Sequence, residues 1–108
     1  GRLCAIVDRN RYSSEGDTEE ILAIEPLHEK YAAFGWQVRR LDGHSIPALL
    51  DAFAHLPDHD RAKPTAIVAD TVKGKGVSFM ETGAAWHYGA LGEEDEAKAL
   101  AEIRGTQH

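Results

Sequence analysis

The sequence places an asparagine just beyond the end of an apolar segment. The run Leu3-Cys4-Ala5-Ile6-Val7 is followed by Asp8, and Asn10 comes two residues later. In α/β proteins, ligands bind where strands end at the carboxyl edge of the sheet. Amide oxygens suit hard cations such as Mg²⁺ and Ca²⁺, which also bind phosphate oxygens. Asn10 is therefore either a metal ligand or an ordinary turn residue, and its spacing alone favours the turn residue.

Two further segments carry residues that could contact a phosphate. In VKGKGVSF, Gly74 and Gly76 would let the backbone approach a partner closely, and the neighbouring lysines are positively charged. The spacing is not that of a P-loop, because no Ser or Thr follows a Gly-Lys pair in register. In AAWHYG, His87 could donate to a phosphate or move a proton, although a structural histidine half-buried beside Trp86 is the more common arrangement. Neither segment identifies a function by itself.

Two other constellations give weaker signals. His55 and His59 are four residues apart with acids nearby, but Pro57 between them argues against a shared helical face, so we interpret them as residues of a solvated loop. Ser13 and Ser14 have no histidine and aspartate arranged as an evident triad, which makes a serine hydrolase a poor interpretation.

Composition limits the classes of function. The chain has 108 residues, of which 43% are apolar, and a formal net charge of −6, so it can bury one small core. An acidic chain lacks the basic face expected for binding nucleic acid or a membrane surface. Cys4 is the only cysteine, which excludes a disulfide within the chain and fits the reducing cytoplasm. No apolar run is long enough to span a bilayer, and no signal peptide is recognisable.

The hydrophobic pattern predicts three strands, at Arg2 to Asp8, Trp36 to Leu41 and Thr65 to Thr71. The first and third have continuous apolar runs, which are typical of strands buried on both faces, and the third is expected to be central. The strands alternate with helical segments, and this alternation predicts a parallel sheet covered by helices in a three-layer α/β/α fold.

Helical spacing and capping residues predict three helices. The first runs from Pro26, which suits a first turn, to Gly35, which suits a helix end. The second begins after Ser45 as N-cap, and one apolar face of it is formed by Ile46, Leu49, Leu50 and Phe53. The third begins near Glu93 with four acids in its first turn, where the helix dipole is positive, and ends at Gly105.

These elements would bring three polar strand exits to one edge of the sheet. Parallel strands end on the same side, so residues 8–10, 42–44 and 71–74 are expected to gather there. Residues 9–25 are predicted to form a long polar connection, and loops of that length are usually functional or disordered. Residues 77–92 are predicted to be irregular.

The order of these motifs resembles the thiamine diphosphate-binding domain of transketolases. The resemblance covers nearly the whole chain and is carried by VDRNRYSSEGDTEE, FGWQVRRLDGH, KPTAIVADTVKGKGVSFME and AWHYG. It is strongest to the N-terminal subunit of split bacterial and archaeal transketolases. It implies a thiamine diphosphate-binding fold, of which residues 1–108 would be the C-terminal part.

The resemblance also implies a cofactor site centred on Asn10. In the family, the matching asparagine binds the divalent cation, Mg²⁺ or Ca²⁺, that holds the cofactor's diphosphate. The backbone carbonyl two residues later, here that of Tyr12, supplies another metal ligand. His87 matches the family's histidine that contacts the diphosphate near the substrate channel, which implies a catalytic role. Ser14 stands where the family has a branched aliphatic residue near the thiazolium ring, and this departure removes apolar contact with the cofactor.

The implied activity is transfer of a two-carbon ketol unit from a ketose or ketose phosphate donor to an aldose acceptor. The Gly-Asp-Gly motif that opens the family's cofactor site does not occur in this sequence. We therefore expect a chain or segment that carries this motif, together with a pyrimidine-binding subunit or domain. The expected assembly is a hetero-oligomer built on a dimer, which acts on sugar phosphates in the cytoplasm, and this chain alone is expected to be inactive.

Three alternatives remain open from the sequence. Another thiamine diphosphate enzyme, such as a deoxyxylulose-phosphate synthase or a 2-oxo acid dehydrogenase component, would share the TVKGKG and DGH motifs. A non-catalytic assembly subunit would explain the missing Gly-Asp-Gly aspartate and Ser14. A flavodoxin-like domain with an accidental likeness is least favoured, because the match is so broad.

Overall fold

A computed structural model of the chain describes residues 3–57 and 63–105. These residues form two compact units: the first contains the chain up to Asn10 together with residues 24–71, and the second contains residues 11–23 and those from Val72 onward. The strands are β1 (Cys4–Arg9), β2 (Gln37–Asp42) and β3 (Thr65–Asp70). The α-helices are α1 (Thr18–Ile21), α2 (Leu27–Ala33), α3 (Ile46–Ala54) and α4 (Glu93–Gly105).

The first unit is built on a parallel sheet with the strand order β1-β3-β2. Ile67 of β3 pairs with Ile6 on one side and with Arg39 on the other. Because β3 has a strand on each side, it is the most buried strand, and Ile67 and Val68 are fully buried. The prediction that the third strand is central is therefore confirmed.

Helices α2 and α3 cover opposite faces of this sheet. The connection from β1 to β2 carries α2 across β3, and the connection from β2 to β3 carries α3 back in the opposite direction. Crossovers between parallel strands are almost always right-handed, so two crossovers that run in opposite directions place their helices on opposite faces. The predicted α/β fold, with a parallel sheet between helices, is confirmed.

The prediction that β1 is buried on both faces is wrong for the described residues. Ile6 is 56% exposed, although it lies in the middle of the apolar run. Within the described sheet, β1 pairs with β3 on one side only, so its side chains have fewer neighbours than those of β3. A continuous apolar run predicts a strand, but the number of elements that cover the strand depends on the rest of the fold.

Helix α3 begins where predicted but turns its apolar face outward. The hydroxyl of Ser45 accepts a hydrogen bond from the Ala48 N–H at 3.3 Å, which confirms the N-cap. Ile46 and Leu50 are each 63% exposed, whereas Ala52 is 1% exposed. Helical spacing correctly predicted which side chains share a face, but the buried residue of α3 is Ala52, which lies outside this face.

The second unit contains more regular structure than the sequence predicted. The expected polar connection includes α1, and its N-cap Asp17 accepts a hydrogen bond from the Glu19 N–H at 2.7 Å. The segment from residue 77 to residue 92 is irregular as predicted, with short 3₁₀ turns at Ser78–Met80 and Ala85–His87. Helix α4 has the predicted bounds. No helix in residues 3–57 and 63–105 has both the length and the hydropathy needed to cross a membrane.

Gly43 provides a test of the packing between the ends of β2 and β3. A Cβ at this position would lie 2.5 Å from Cγ2 of Thr71 and 3.1 Å from the carbonyl oxygen of Asp70. We predict that Gly43→Ala lowers the free energy of unfolding of the full-length protein by about 1–3 kcal/mol, because the added methyl group overpacks this contact. Urea denaturation measures the effect.

The matched control for this prediction is Gly105→Ala, because a Cβ at that position meets no atom within 4 Å. We expect the control to change the free energy of unfolding by less than about 0.5 kcal/mol. Equal losses in the two variants would contradict the packing argument.

Candidate functional site

The three strands of the first unit end in register at the carboxyl edge of the sheet. Arg9 at the end of β1 and Asp42 at the end of β2 both pair with Asp70 of β3. The N–H of Thr71 donates to the carbonyl oxygen of Arg9 at 3.3 Å, and its hydroxyl donates to the carboxylate of Asp8. The predicted gathering of strand exits is confirmed as far as Thr71, and residues 72–74 belong to the second unit.

A network of ion pairs connects these strand ends. The Nε of Arg9, a residue only 3% exposed, donates to Oε1 of Glu25 at 2.8 Å. Arg40 donates to the other oxygen of Glu25 at 3.2 Å and to both oxygens of Asp70 at 2.7 and 2.8 Å. We call these four residues the edge network. It fixes the side chain that immediately precedes Asn10, because a buried guanidinium is stable only when it is paired.

Hydrogen bonds at this edge lower the pKa of the carboxyl groups of Glu25 and Asp70. The pKa of Glu25 falls from 4.5 to about 2, first because the backbone N–H of Leu27 donates to it and then because Arg9 does. The pKa of Asp70 is also lowered, chiefly by its hydrogen bonds from Arg40. A carboxyl group whose pKa is depressed on folding stabilises the fold above its unfolded pKa. For Glu25 this stabilisation is lost as the pH falls from 4.5 towards 2.

We predict that Glu25→Gln destabilises the full-length protein at neutral pH by about 2 kcal/mol, because the buried guanidinium of Arg9 loses its carboxylate. The variant should also lose less stability than the parent as the pH falls from 4.5 towards 2. Urea denaturation at a series of pH values measures both effects.

The control for this prediction is Glu29→Gln on α2, four residues after Glu25, because the carboxylate of Glu29 is 71% exposed. We expect it to shift the free energy of unfolding by less than about 0.5 kcal/mol. If Glu25→Gln kept the parent's full pH dependence in the acid range, Glu25 would not be the group responsible.

Asn10 directly follows β1 and is half-buried. The next residue, Arg11, has a φ of +69°, in the left-handed region that a residue with a side chain adopts at a cost of about 1 kcal/mol. Such strain persists where the surrounding structure enforces it, and it is concentrated at ligand sites. Arg11, the strained residue, lies in the sequence between the two predicted metal ligands, Asn10 and Tyr12.

Tyr12 lies in a short antiparallel turn of the second unit, where it forms an isolated bridge with Asp17. The hydrogen bonds beside the bridge, each 2.8 Å long, join the N–H of Ser13 to Gly16 and the N–H of Thr18 to Arg11. Since the flanking residues make these bonds, Tyr12 and Asp17 form a non-hydrogen-bonded pair, in which each carbonyl points away from the opposite residue. The bridge therefore does not use the carbonyl oxygen that was predicted to bind a metal.

Residues 10 and 12 each offer an oxygen donor of a type that hard cations accept. An amide oxygen and a backbone carbonyl are ligands that Mg²⁺ and Ca²⁺ accept, and Mg²⁺ commonly adds phosphate and water oxygens to a small number of protein ligands. In the described part of the chain, no group of three or more His, Cys, Asp or Glu residues could hold a metal. His55 Nδ1 lies 2.8 Å from the carbonyl oxygen of Asp51, and His59 is outside the described residues.

Ser14 and His87 both belong to the second unit, and both are exposed. His87 ends a 3₁₀ turn, and its ring meets that of Tyr88 edge-on with centroids 4.5 Å apart. Trp86 packs instead against Phe79, and its indole N–H donates to the carbonyl oxygen of Phe79 at 2.9 Å. The interpretation of His87 as half-buried beside Trp86 is therefore wrong, and the exposed imidazole is accessible to a ligand.

Gly74 and Gly76 of the VKGKG segment both make contacts within the chain. Gly74 has a φ of +71°, and a Cβ there would lie 2.6 Å from the carbonyl oxygen of Met80. The N–H of Gly76 donates to the carboxylate of Glu81 at 2.9 Å. The close approach expected at Gly74 is thus an internal contact, while Lys75 beside it is exposed.

Sequence reasoning missed two contacts around the site. It did not predict the edge network, whose only sequence signal is a charged residue, Arg9, at the end of an apolar strand. It also missed the hydrogen bond at 3.2 Å from the N–H of Gly83 to the phenolic oxygen of Tyr12. Both contacts join residues that are distant in the sequence, so local spacing carries no signal for them.

Comparison with known proteins shows one family. Residues 1–107 match the family described as the transketolase, thiamine diphosphate binding domain. An apulose-4-phosphate transketolase subunit from Phocaeicola vulgatus is 38% identical over 101 residues, and the 6-deoxy-6-sulfo-D-fructose transketolase subunit SqwG of a Clostridium species is 40% identical over 101 residues. Each match covers 94% of this chain but 36% of the relative, so the chain spans about a third of the length of these curated relatives.

The fold is also found in solved structures. A transketolase variant from Pichia stipitis matches with a TM-score of 0.58 at 22% sequence identity, and the match covers 97% of this chain and 19% of that one. This likeness shows the fold and agrees with the parallel sheet described above.

Proposed function

This chain belongs to the transketolase thiamine diphosphate-binding domain family, and we propose that it forms part of a transketolase. The enzyme would transfer a two-carbon ketol unit from a ketose or ketose phosphate donor to an aldose acceptor. This chain would bind the diphosphate of thiamine diphosphate through a divalent cation, Mg²⁺ or Ca²⁺. Because the chain spans about a third of its subunit-type relatives, the activity is proposed for the whole protein.

The placement of Asn10 supports this proposal more than any other observation. The residue directly follows β1 at the carboxyl edge of a parallel sheet, where α/β proteins bind ligands. The edge network fixes Arg9 immediately before it, and the antiparallel bridge leaves the carbonyl of Tyr12 directed away from Asp17. Two oxygen donors with this spacing suit Mg²⁺, whose positive charge would offset much of the charge of a diphosphate.

The other site residues take roles that their exposure permits. Thiamine diphosphate, when bound, supplies the carbon nucleophile for the transfer. The exposed His87 would donate a hydrogen bond to a phosphate oxygen and, near the substrate path, act as the catalytic residue of this chain. The exposed Ser14 would contact the cofactor ring with little apolar surface.

We also propose that the functional enzyme contains a partner. Relatives from Phocaeicola vulgatus and Actinobacillus succinogenes are each named as one subunit of an apulose-4-phosphate transketolase, which describes those proteins as components of a divided enzyme. By analogy, this protein would assemble with a pyrimidine-binding subunit or domain and with a segment that carries Gly-Asp-Gly. The assembly would be a hetero-oligomer built on a dimer and would act on sugar phosphates.

The variant Asn10→Ala tests the metal site in the full-length protein with its partner subunit. Calorimetry with thiamine diphosphate at several Mg²⁺ concentrations should show that the parent needs the cation for binding. Asn10→Ala should raise the apparent Kd for Mg²⁺ by on the order of tenfold or more, because a ligand oxygen is removed. Asn10→Asp is the matched control, and it should retain binding because it keeps an oxygen donor.

The outcomes of this experiment separate the proposed function from its alternatives. Equal metal dependence in the parent and in Asn10→Ala would contradict the assigned ligand. No binding of thiamine diphosphate by the parent would favour a non-catalytic role in assembly. Turnover with pyruvate rather than with ketose donors would favour an enzyme related to deoxyxylulose-phosphate synthase or to the 2-oxo acid dehydrogenases.

We predict that Ser14→Ile tightens the binding of thiamine diphosphate by about three- to tenfold, because it adds apolar surface against the cofactor ring. Ser14→Ala is the control, since it removes the hydroxyl but adds almost no apolar surface, and it should bind like the parent. Titration of the cofactor at saturating Mg²⁺ measures both constants. Unchanged or weaker binding in Ser14→Ile would place this side chain away from the ring.

A further inference from the structure

We propose that the side chain of Tyr12 is a positioning residue for His87, and that it acts through the hydrogen bond that the backbone N–H of Gly83 donates to its phenolic oxygen. This inference rests on the proposed function, which gives His87 its role at the cofactor. It adds a second role for Tyr12, separate from the metal contact proposed for its backbone carbonyl.

The hydrogen bond joins two segments of the second unit that are far apart in the sequence. The Gly83 nitrogen lies 3.2 Å from the phenolic oxygen of Tyr12, in a partly buried contact across 71 residues. Gly83 has a φ of +79°, so its amide is held in a left-handed turn that suits glycine. The contact therefore fixes the beginning of the stretch that leads to His87.

Tyr12 can act as an anchor because its own turn is well braced. The Tyr12–Asp17 bridge closes the turn, and hydrogen bonds of 2.8 Å lie on both sides of it. Asp17 also caps α1 by accepting the N–H of Glu19 at 2.7 Å. The phenolic oxygen thus belongs to a residue in a turn that is closed by the Tyr12–Asp17 bridge. The cap at Asp17 connects this turn to α1.

The stretch that carries His87 has a second anchor at Trp86. The indole N–H donates to the carbonyl oxygen of Phe79 at 2.9 Å, and the two rings meet edge-on with centroids 5.5 Å apart. A Cβ at Gly89 would lie 2.7 Å from the indole, so the chain also packs closely after the histidine. Anchors at Gly83 and Trp86 hold the backbone while the imidazole of His87 stays exposed.

This arrangement would lower the entropy cost of ligand binding. A side chain on a loose loop must be ordered when it binds a phosphate, whereas a side chain on an anchored loop is already placed. Loss of the Tyr12 hydrogen bond would release one of the two anchors. The effect should therefore appear at the cofactor contact of His87 and not at the metal.

Tyr12→Phe separates the two roles of this residue, because it keeps the ring and the backbone carbonyl but removes the phenolic oxygen. Amide hydrogen exchange, measured by mass spectrometry on the full-length protein with its partner and without cofactor, tests the anchor directly. Residues 81–89 should exchange about three- to tenfold faster in Tyr12→Phe. Tyr31→Phe, on α2 of the first unit, is the matched control and should leave this exchange unchanged.

Cofactor binding then tests whether Tyr12 acts through His87. Tyr12→Phe should raise the Kd for thiamine diphosphate, titrated at saturating Mg²⁺, by about three- to tenfold. In a His87→Ala background the same substitution should have no further effect, because residues that act as one unit are not additive. Tyr31→Phe should bind like the parent in both backgrounds.

Two results would overturn this proposal. Unchanged hydrogen exchange in Tyr12→Phe would show that the bond does not anchor the segment, whether or not the cofactor binds. An equal loss of affinity in both backgrounds would show that Tyr12 does not act through His87. A parent that binds no thiamine diphosphate refutes the proposed function and with it the role of His87, while the exchange measurement still decides the anchor.

Discussion

The buried positive charge of Arg9 is the constraint on which the carboxyl edge of the sheet depends. A guanidinium that is 3% exposed is costly unless a carboxylate meets it, and Glu25 provides that carboxylate at 2.8 Å. Glu25 also accepts from Arg40 on β2, and Arg40 holds Asp70 on β3 through two hydrogen bonds. Hydrogen bonds from Arg9 and Arg40 to Glu25 and Asp70 therefore connect the three strands with the residues just before α2.

This constraint fixes the backbone immediately before Asn10, the residue proposed to bind a metal. Asn10 is attached to a strand whose last residue is fixed through both its side chain and its carbonyl oxygen. The neighbouring Arg11 stores backbone strain, and Tyr12 lies in a braced turn. A proposed ligand residue on such a rigid support would need little reorganisation when a ligand binds. Ser14 follows in the same turn, and its small polar side chain is the feature that the proposed cofactor contact must accommodate.

Much of the fold could be predicted because it follows from local periodicity and capping. The continuous apolar run at β3 predicted a central strand, and the Ser45 cap and the acidic first turn after Glu93 marked helix starts correctly. The predictions of burial failed where burial depends on which other elements pack against a strand or helix. Ile6 and Leu50 lie on apolar faces as predicted, but both are more than half exposed, because periodicity does not reveal which face another element covers.

The sequence by itself determined the order of the three strands and the three longer helices, the Ser45 cap, the family resemblance and the position of Asn10 after a strand. These features depend on residues that are close together along the chain. Only the tertiary structure decided that Glu25 meets Arg9 and that Gly83 donates to Tyr12. These pairs are separated by 16 and 71 residues, and no local propensity selects one distant partner over another. Such contacts form only when packing of the sheet, helices and turns brings the two groups to hydrogen-bond distance.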